Sequence, residues 1–171
     1  MAAIKPHTNV PELEVPTLRH GTWRLGASAP RLLHMIVFYR GVHCGLCKRQ
    51  LPELDRNIEN FASRGVDVVA ISADTHERAL QAQEAWGLQH VPVGYALPIA
   101  AAREWGLFIS SARTANEPAQ FCEPGIFLIE PQGTLYGSIV SSMPFARPSL
   151  SDILAAVDFI AKAGYSARGE S

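Results

Sequence analysis

No stretch of this chain is apolar for long enough to cross a bilayer. The longest apolar run, Leu32 to Tyr39, is interrupted by His34 and falls far short of the ~20 residues a spanning helix needs. Residues Met1 to Pro16 carry Lys5, His7, Glu12, Glu14 and three prolines. They lack the apolar core of a secretory signal, so the expectation is a cytoplasmic protein. No block of like charges occurs and the net charge is −1. That argues against nucleic acid or an anionic membrane as the main partner. The chain has no Gly-rich phosphate loop, no H-E-x-x-H pair and no serine nucleophile elbow. It also has no internal repeat and no low-complexity tract. Cysteine is scarce: 3 residues, an odd number, two of them at C-x-x-C spacing. In a reducing compartment that pattern points to redox or metal chemistry before a structural disulfide.

With 171 residues, 47% of them apolar, the chain suits one soluble domain with a sizeable core. Residues 1–20 read as an irregular arm and 21–171 as a single domain. Leu33 to Tyr39 suits a buried central strand. A helix is predicted from near Cys44 to just before Gly65, with Leu51, Leu54, Ile58 and Phe61 as its apolar stripe. Asp55, Arg56 and Glu59 read as its wet face. Val66 to Ile71 is a second buried strand. A helix follows from about Thr75 to Trp86, capped by Asp74 or Thr75. Val93–Leu97 reads as a short strand and Ile99–Trp105 as a helix. Ile126–Glu130 and Thr134–Val140, joined through Pro131-Gln132-Gly133, read as a hairpin. The last helix, about Ser149 to Ala163, is predicted to bury Leu150, Ile153, Leu154, Val157 and Ile160, with Ser149 and Asp152 as a capping-box-like start. Strand–helix–strand, then hairpin, then helix gives an α/β fold with a central mixed sheet flanked by helices.

The chemistry sits in Arg40-Gly41-Val42-His43-Cys44-Gly45-Leu46-Cys47-Lys48-Arg49. A strand feeds a turn and the turn opens a helix, whose free N–H groups favour an anion such as a thiolate. Arg40, His43, Lys48 and Arg49 add positive charge nearby. Two cysteines three apart on a helix face the same way and are able to pair. Redox function is favoured over two structural thiols. A zinc or copper site is a weaker alternative, since only His43 and Cys122 remain to complete a tetrahedral set. No metal and no cofactor is expected.

Phe38 through Cys47 followed by Pro52 resembles the strand–turn–helix of thioredoxin-like proteins, with Pro52 at the helix-kinking proline. Beyond it the chain resembles the peroxiredoxins, specifically the alkyl hydroperoxide reductase and thiol-specific antioxidant (AhpC/TSA) group. The segments that carry this are Val66 to Asp74, Trp86-Gly87-Leu88, Arg103 to Leu107, and Gly125 to Glu130 followed by Gly133. The resemblance spans about residues 20–162 and implies a thioredoxin-like fold. Counted from Phe38-Tyr39, the peroxidatic cysteine of that group falls on Cys47, its active-site threonine on Cys44 and its catalytic arginine on Pro124. In thioredoxins the Pro124 position is a cis-proline facing the dithiol, and their buried acid on the central strand is Val37 here.

Two reactions follow from this mixture. Thiol–disulfide exchange is preferred, with Cys44 attacking, Cys47 resolving and Pro124 shaping a substrate groove. Hydroperoxide reduction is the alternative, expected to be slow without the threonine and arginine. A non-enzymatic metal-binding or redox-sensing module is a third reading. Either enzyme implies a thiol reductant such as a thioredoxin or glutathione system, and a disulfide or hydroperoxide substrate. His43 and Lys48 are candidate tuners of Cys44. Arg40 either stands in for the missing arginine or is merely solvated, and solvation is slightly favoured. Cys122 is a candidate third thiol, though a lone cysteine is more often a small buried hydrophobe. The Glu123–Pro124 bond is expected to be cis.

Overall fold

A computed structural model describes residues 3–171. The central strand β3 (Leu33–Phe38) is buried along its whole length, His34 included. It pairs in parallel with β4 (Val66–Ile71) and antiparallel with β8 (Gly125–Ile129). Adding β5 (Val93–Gly94), β9 (Leu135–Val140) and the hairpin β1 (Glu14–Thr17) and β2 (Gly21–Arg24) gives one mixed seven-stranded sheet in the order β2-β1-β5-β4-β3-β8-β9.

Side-chain alternation along β3 divides the core. Leu33, Met35 and Val37 join one buried cluster, while Ile36 and Phe38 join the other. The first cluster takes in Leu51 and Leu54 of α1 (Cys47–Arg56), Phe61 of α2 (Ile58–Ser63), Ala79 of α3 (His76–Trp86) and Ile153 of α5 (Leu150–Ala163). The second takes in Ala102 of α4 (Ile99–Glu104) together with Trp105, Leu107 and Phe127. A separate hairpin of β6 (Ile109–Ser111) and β7 (Gln120–Cys122) contributes Cys122 to that second cluster.

The cap signals act as the sequence suggests. Thr75, not Asp74, caps α3 by accepting the Arg78 N–H, and Ser149 caps α5 by accepting the Asp152 N–H. Gly87 and Gly164 stop these two helices in the left-handed conformation that glycine adopts without strain.

Several expectations are corrected. Residues 1–20 are not irregular throughout: β1 is a strand of the sheet, and Leu13 and Val15 are core residues. The long helix predicted between Cys44 and Gly65 is two helices broken at Asn57. The strand predicted over Val93–Leu97 covers only Val93–Gly94. Hairpin β6–β7 was not foreseen, because its strands are three residues each and too short to establish a period. Asp55 is not on a wet face. Its buried Oδ1 accepts the N–H groups of Gln89, His90 and Val91 and ties α1 to the segment after α3. Burial opposes the Asp55 charge, but these three donors prevail and hold its carboxyl below the usual range. No helix among the described residues is long and apolar enough to cross a membrane.

Candidate active site

The turn between β3 and α1 is held by Asp74, in the connection from β4 to α3. Gly41 has φ +125, and a Cβ there would meet the Asp74 carboxylate oxygens at 2.7 Å, so only glycine fits. The same carboxylate accepts the Val42 N–H at 2.7 Å and the Arg78 Nε–H at 2.9 Å. The Cys44 N–H closes the turn onto the Gly41 carbonyl.

Cys44 lies in this turn and Cys47 is the first residue of α1, so the helix starts slightly later than expected. Helical bonding nevertheless reaches back: the Lys48 N–H donates to the Cys44 carbonyl, and the Cys47 N–H donates to Cys44 Sγ at 3.4 Å. Cys44 therefore receives a helix-terminal N–H on its sulfur, where a capping side chain would place an oxygen. Pro52 falls inside α1, as the resemblance implies.

The decisive group is one that sequence reasoning missed. Arg147, two residues before the cap of α5, places Nη1 and Nη2 each 3.4 Å from Cys47 Sγ and Nη2 3.5 Å from Cys44 Sγ. Its fork is fixed by Gln50 Oε1 at 2.6 Å and the Pro144 carbonyl at 3.0 Å. Arg40 is not solvated either. It pairs with the buried Glu123 at 3.1 Å and lies over the Phe121 ring, 4.9 Å from its centroid. Glu123 also accepts the Ser110 hydroxyl at 2.6 Å.

These groups separate the two thiols. A hydrogen bond from the Cys47 thiol, the Cys47 N–H, Arg40 and Arg147 together outweigh burial and push Cys44 far below an ordinary thiol. Cys47 moves the opposite way, because it is buried and faces the Cys44 thiolate. The two shifts are opposite in sign, favouring charge on Cys44 and a proton on Cys47.

The remaining candidates divide. His43 packs edge-on against Phe121, with ring centroids 4.6 Å apart, and its Nδ1 faces Arg78 at 3.4 Å. Burial and then Arg40 lower its imidazole below the ordinary value, which opposes the positive charge expected of it. Lys48 is exposed, and neither it nor Arg49 bonds either sulfur. Cys122 is fully buried in the other core cluster, its thiol facing the Tyr39 carbonyl at 3.5 Å. Burial pushes it up to about 12. Pro124 lies beside Gln50 and Arg147 in a small cleft. No cis peptide bond occurs among the described residues, so Glu123–Pro124 is trans, against expectation. The backbone there is also taken: the Glu123 N–H donates to Phe108 and the Pro124 carbonyl accepts from Ser141. An extended peptide would find neither group free. No group of three metal-ligating side chains occurs among the described residues.

The family model described as AhpC/TSA matches residues 6–138. No curated protein sequence matches the chain. Among solved structures, the peroxiredoxin 6 of Arenicola marina superposes with a TM-score of 0.77 at 17% identity, covering 95% of this chain and 76% of that one. Peroxidoxin BcpB from Mycobacterium tuberculosis gives 0.73 at 18% identity, covering 95% and 99%. The reduced 2-Cys peroxiredoxin of Plasmodium vivax gives 0.78 at 14% identity, covering 96% and 84%. At such identities these three likenesses speak to the fold.

Proposed function

The chain belongs to the AhpC/TSA family and is an oxidoreductase, and from that premise we propose that it reduces hydroperoxides with Cys44 as the attacking thiolate and Cys47 as the resolving thiol. The observation that carries this reading is the Arg147 guanidinium lying within 3.5 Å of both sulfurs. It stabilises the thiolate before reaction. It also offers N–H groups to the oxygen on which charge develops as the O–O bond breaks. Position 124, where the family arginine falls by sequence, holds proline, and Arg147 supplies a guanidinium from another segment.

In the first step Cys44 Sγ attacks the terminal peroxide oxygen. An S–O bond forms, the O–O bond breaks, and the sulfur is oxidised to a sulfenic acid. The departing alkoxide leaves as an alcohol, or as water from hydrogen peroxide, after taking the Cys47 proton. The resulting Cys47 thiolate attacks the sulfenic sulfur and expels hydroxide, closing the disulfide. An external thiol, of the thioredoxin or glutathione kind, returns two electrons. Peptide disulfide exchange is less well supported, because the backbone at Glu123 and Pro124 is already paired within the protein.

Stopped-flow oxidation of the reduced protein by hydrogen peroxide, by cumene hydroperoxide and by a protein disulfide tests the proposal. Hydroperoxides are expected to oxidise the dithiol faster, and the Cys47→Ser variant is expected to accumulate a dimedone-reactive sulfenic acid on Cys44. Faster reaction with the protein disulfide, or sulfenic acid on Cys47 in Cys44→Ser only, overturns it.

A further inference from the structure

Arg40 stands just ahead of the Gly41 turn, and hairpin β6–β7 receives its side chain. Arg40 Nε lies 3.1 Å from Oε2 of Glu123, whose side chain is only 7% exposed. The guanidinium also lies over the ring of Phe121 in β7. Glu123 is fixed in turn. Its Oε1 accepts the hydroxyl of Ser110 in β6 at 2.6 Å, and its N–H donates to the Phe108 carbonyl at 2.8 Å. Arg40 Nε and Glu123 Oε2 have no hydrogen-bond partner elsewhere among the described residues, so each of these charges is compensated chiefly by the other. The hairpin is docked at two further points: Phe121 packs edge-on against His43, and Arg78 Nη2 donates to the Asn116 carbonyl between β6 and β7 at 3.1 Å.

Two cations thus serve Cys44 from separately anchored segments. Arg147 is fixed by Gln50 and the Pro144 carbonyl, and Arg40 is fixed by the hairpin. With the Cys47 thiol and the neighbouring His43, these are the titratable groups that face the Cys44 sulfur. A long side chain with solvent in reach loses conformational freedom when it is held at a sulfur. A partner that fixes it beforehand removes that loss from the reacting step.

We propose that Glu123 is a positioning residue for the reaction at Cys44: fixed by Ser110 and by its own backbone, it holds Arg40 against the attacking sulfur, which makes hairpin β6–β7 part of the redox centre. The proposal rests on the reading of Cys44 as the attacking thiolate. The role is one of placement and not of charge. A carboxylate near a thiol disfavours the thiolate, so Glu123 acting by its own charge works against Cys44. It benefits the sulfur only through the arginine it holds.

The pH profile of iodoacetamide alkylation of the reduced full-length protein separates the two signs. If Glu123 holds Arg40, Glu123→Met, similar in size and without an acceptor oxygen, releases the guanidinium to solvent and moves the falling edge of the profile up by roughly one pH unit. If Glu123 acts by its charge, the same variant moves the edge down. Arg40→Met is expected to move the edge up by a similar amount. Adding Glu123→Met to Arg40→Met is expected to raise it no further, because the carboxylate then has no cation to hold. Ser110→Ala loosens the carboxylate without removing it. It is expected to give a smaller shift in the same direction, and it replaces Glu123→Met if that variant does not fold. Peroxide oxidation of Glu123→Met is expected to slow roughly tenfold. An edge unmoved or lowered in both Glu123→Met and Ser110→Ala overturns the positioning role, as does an equal further rise in the double variant. A parent protein oxidised faster by a protein disulfide than by peroxide overturns the hydroperoxide reading instead, and the alkylation profiles still decide whether Glu123 holds Arg40.

Discussion

The turn carrying Cys44 and Cys47 and the strand carrying Cys122 bury their thiols almost equally: Cys44 is 2% exposed and the other two 0%. Their chemistry is nonetheless opposite. At β7 burial is the largest influence, the Tyr39 carbonyl faces the sulfur, the Glu123 and Asp74 carboxylates add negative charge, and Cys122 rises to about 12. At the turn a helix-terminal N–H, a neighbouring thiol and two arginines face the sulfur, and Cys44 falls instead. Exposure therefore does not set the acidity of these thiols. The groups facing each sulfur do, and in a poorly hydrated site their charge acts more strongly than in water.

The comparison breaks most completely when the sulfurs are exchanged for oxygen. Cys44→Ser is expected to abolish rapid oxidation by hydrogen peroxide, a loss of at least about 10³-fold, while Cys122→Ser keeps the parent rate within about twofold. Stopped-flow fluorescence on the two variants reads this directly. Equal losses would mean that the two thiol environments do not differ functionally.

Removing the cation while keeping the shape is the next test. Arg147→Met is expected to slow peroxide oxidation by about 10²–10³-fold. In the same variant the Cys44 thiol moves up towards the ordinary value of ~8.5. The pH profile of iodoacetamide alkylation reads that shift independently. Because the Cys44 value is lowered in the folded protein, its thiolate is fully formed above that value. The alkylation rate of the parent protein should then stay level well below neutral pH and fall only in acid. In Arg147→Met the falling edge moves to higher pH. An unchanged edge would assign the shift to the Cys47 thiol, the helix terminus and Arg40.

Glu123 joins the two regions, following Cys122 in sequence and pairing with Arg40 beside Cys44. Glu123→Gln keeps the shape but frees Arg40 from its anion. A change of roughly three- to tenfold in peroxide rate is expected, well below that of Arg147→Met. The smallest effect is expected at Cys122→Ala, which removes one buried sulfur for a stability loss of about 1 kcal/mol by urea denaturation. Its peroxide rate should match the parent. A large rate loss there would make Cys122 a working thiol after all.

Local patterns in the sequence determined much of this protein. The apolar run Leu33–Tyr39, the stripe of Leu51 and Leu54, the caps at Thr75 and Ser149 and the glycines after two helices each act over a few residues, and each is found in the fold. The C-x-x-C pair at the start of a helix was legible for the same reason. What the sequence could not disclose was set by contacts between distant segments. Asp55 reads as an exposed helical acid until the segment after α3 folds onto it with three N–H groups. Strand β1, between β2 and β5, is too short for its alternation to announce it. Arg147 lies 103 residues from Cys44 and 100 from Cys47, and only an arginine just ahead of a helix cap marks it in the chain. Its guanidinium reaches the sulfurs because the segment leading into α5 lies beside α1, where Gln50 accepts one of its N–H groups. Charge placement at the dithiol was therefore decided by tertiary packing, since electrostatic and hydrogen-bonding forces act through space and leave no period in the sequence.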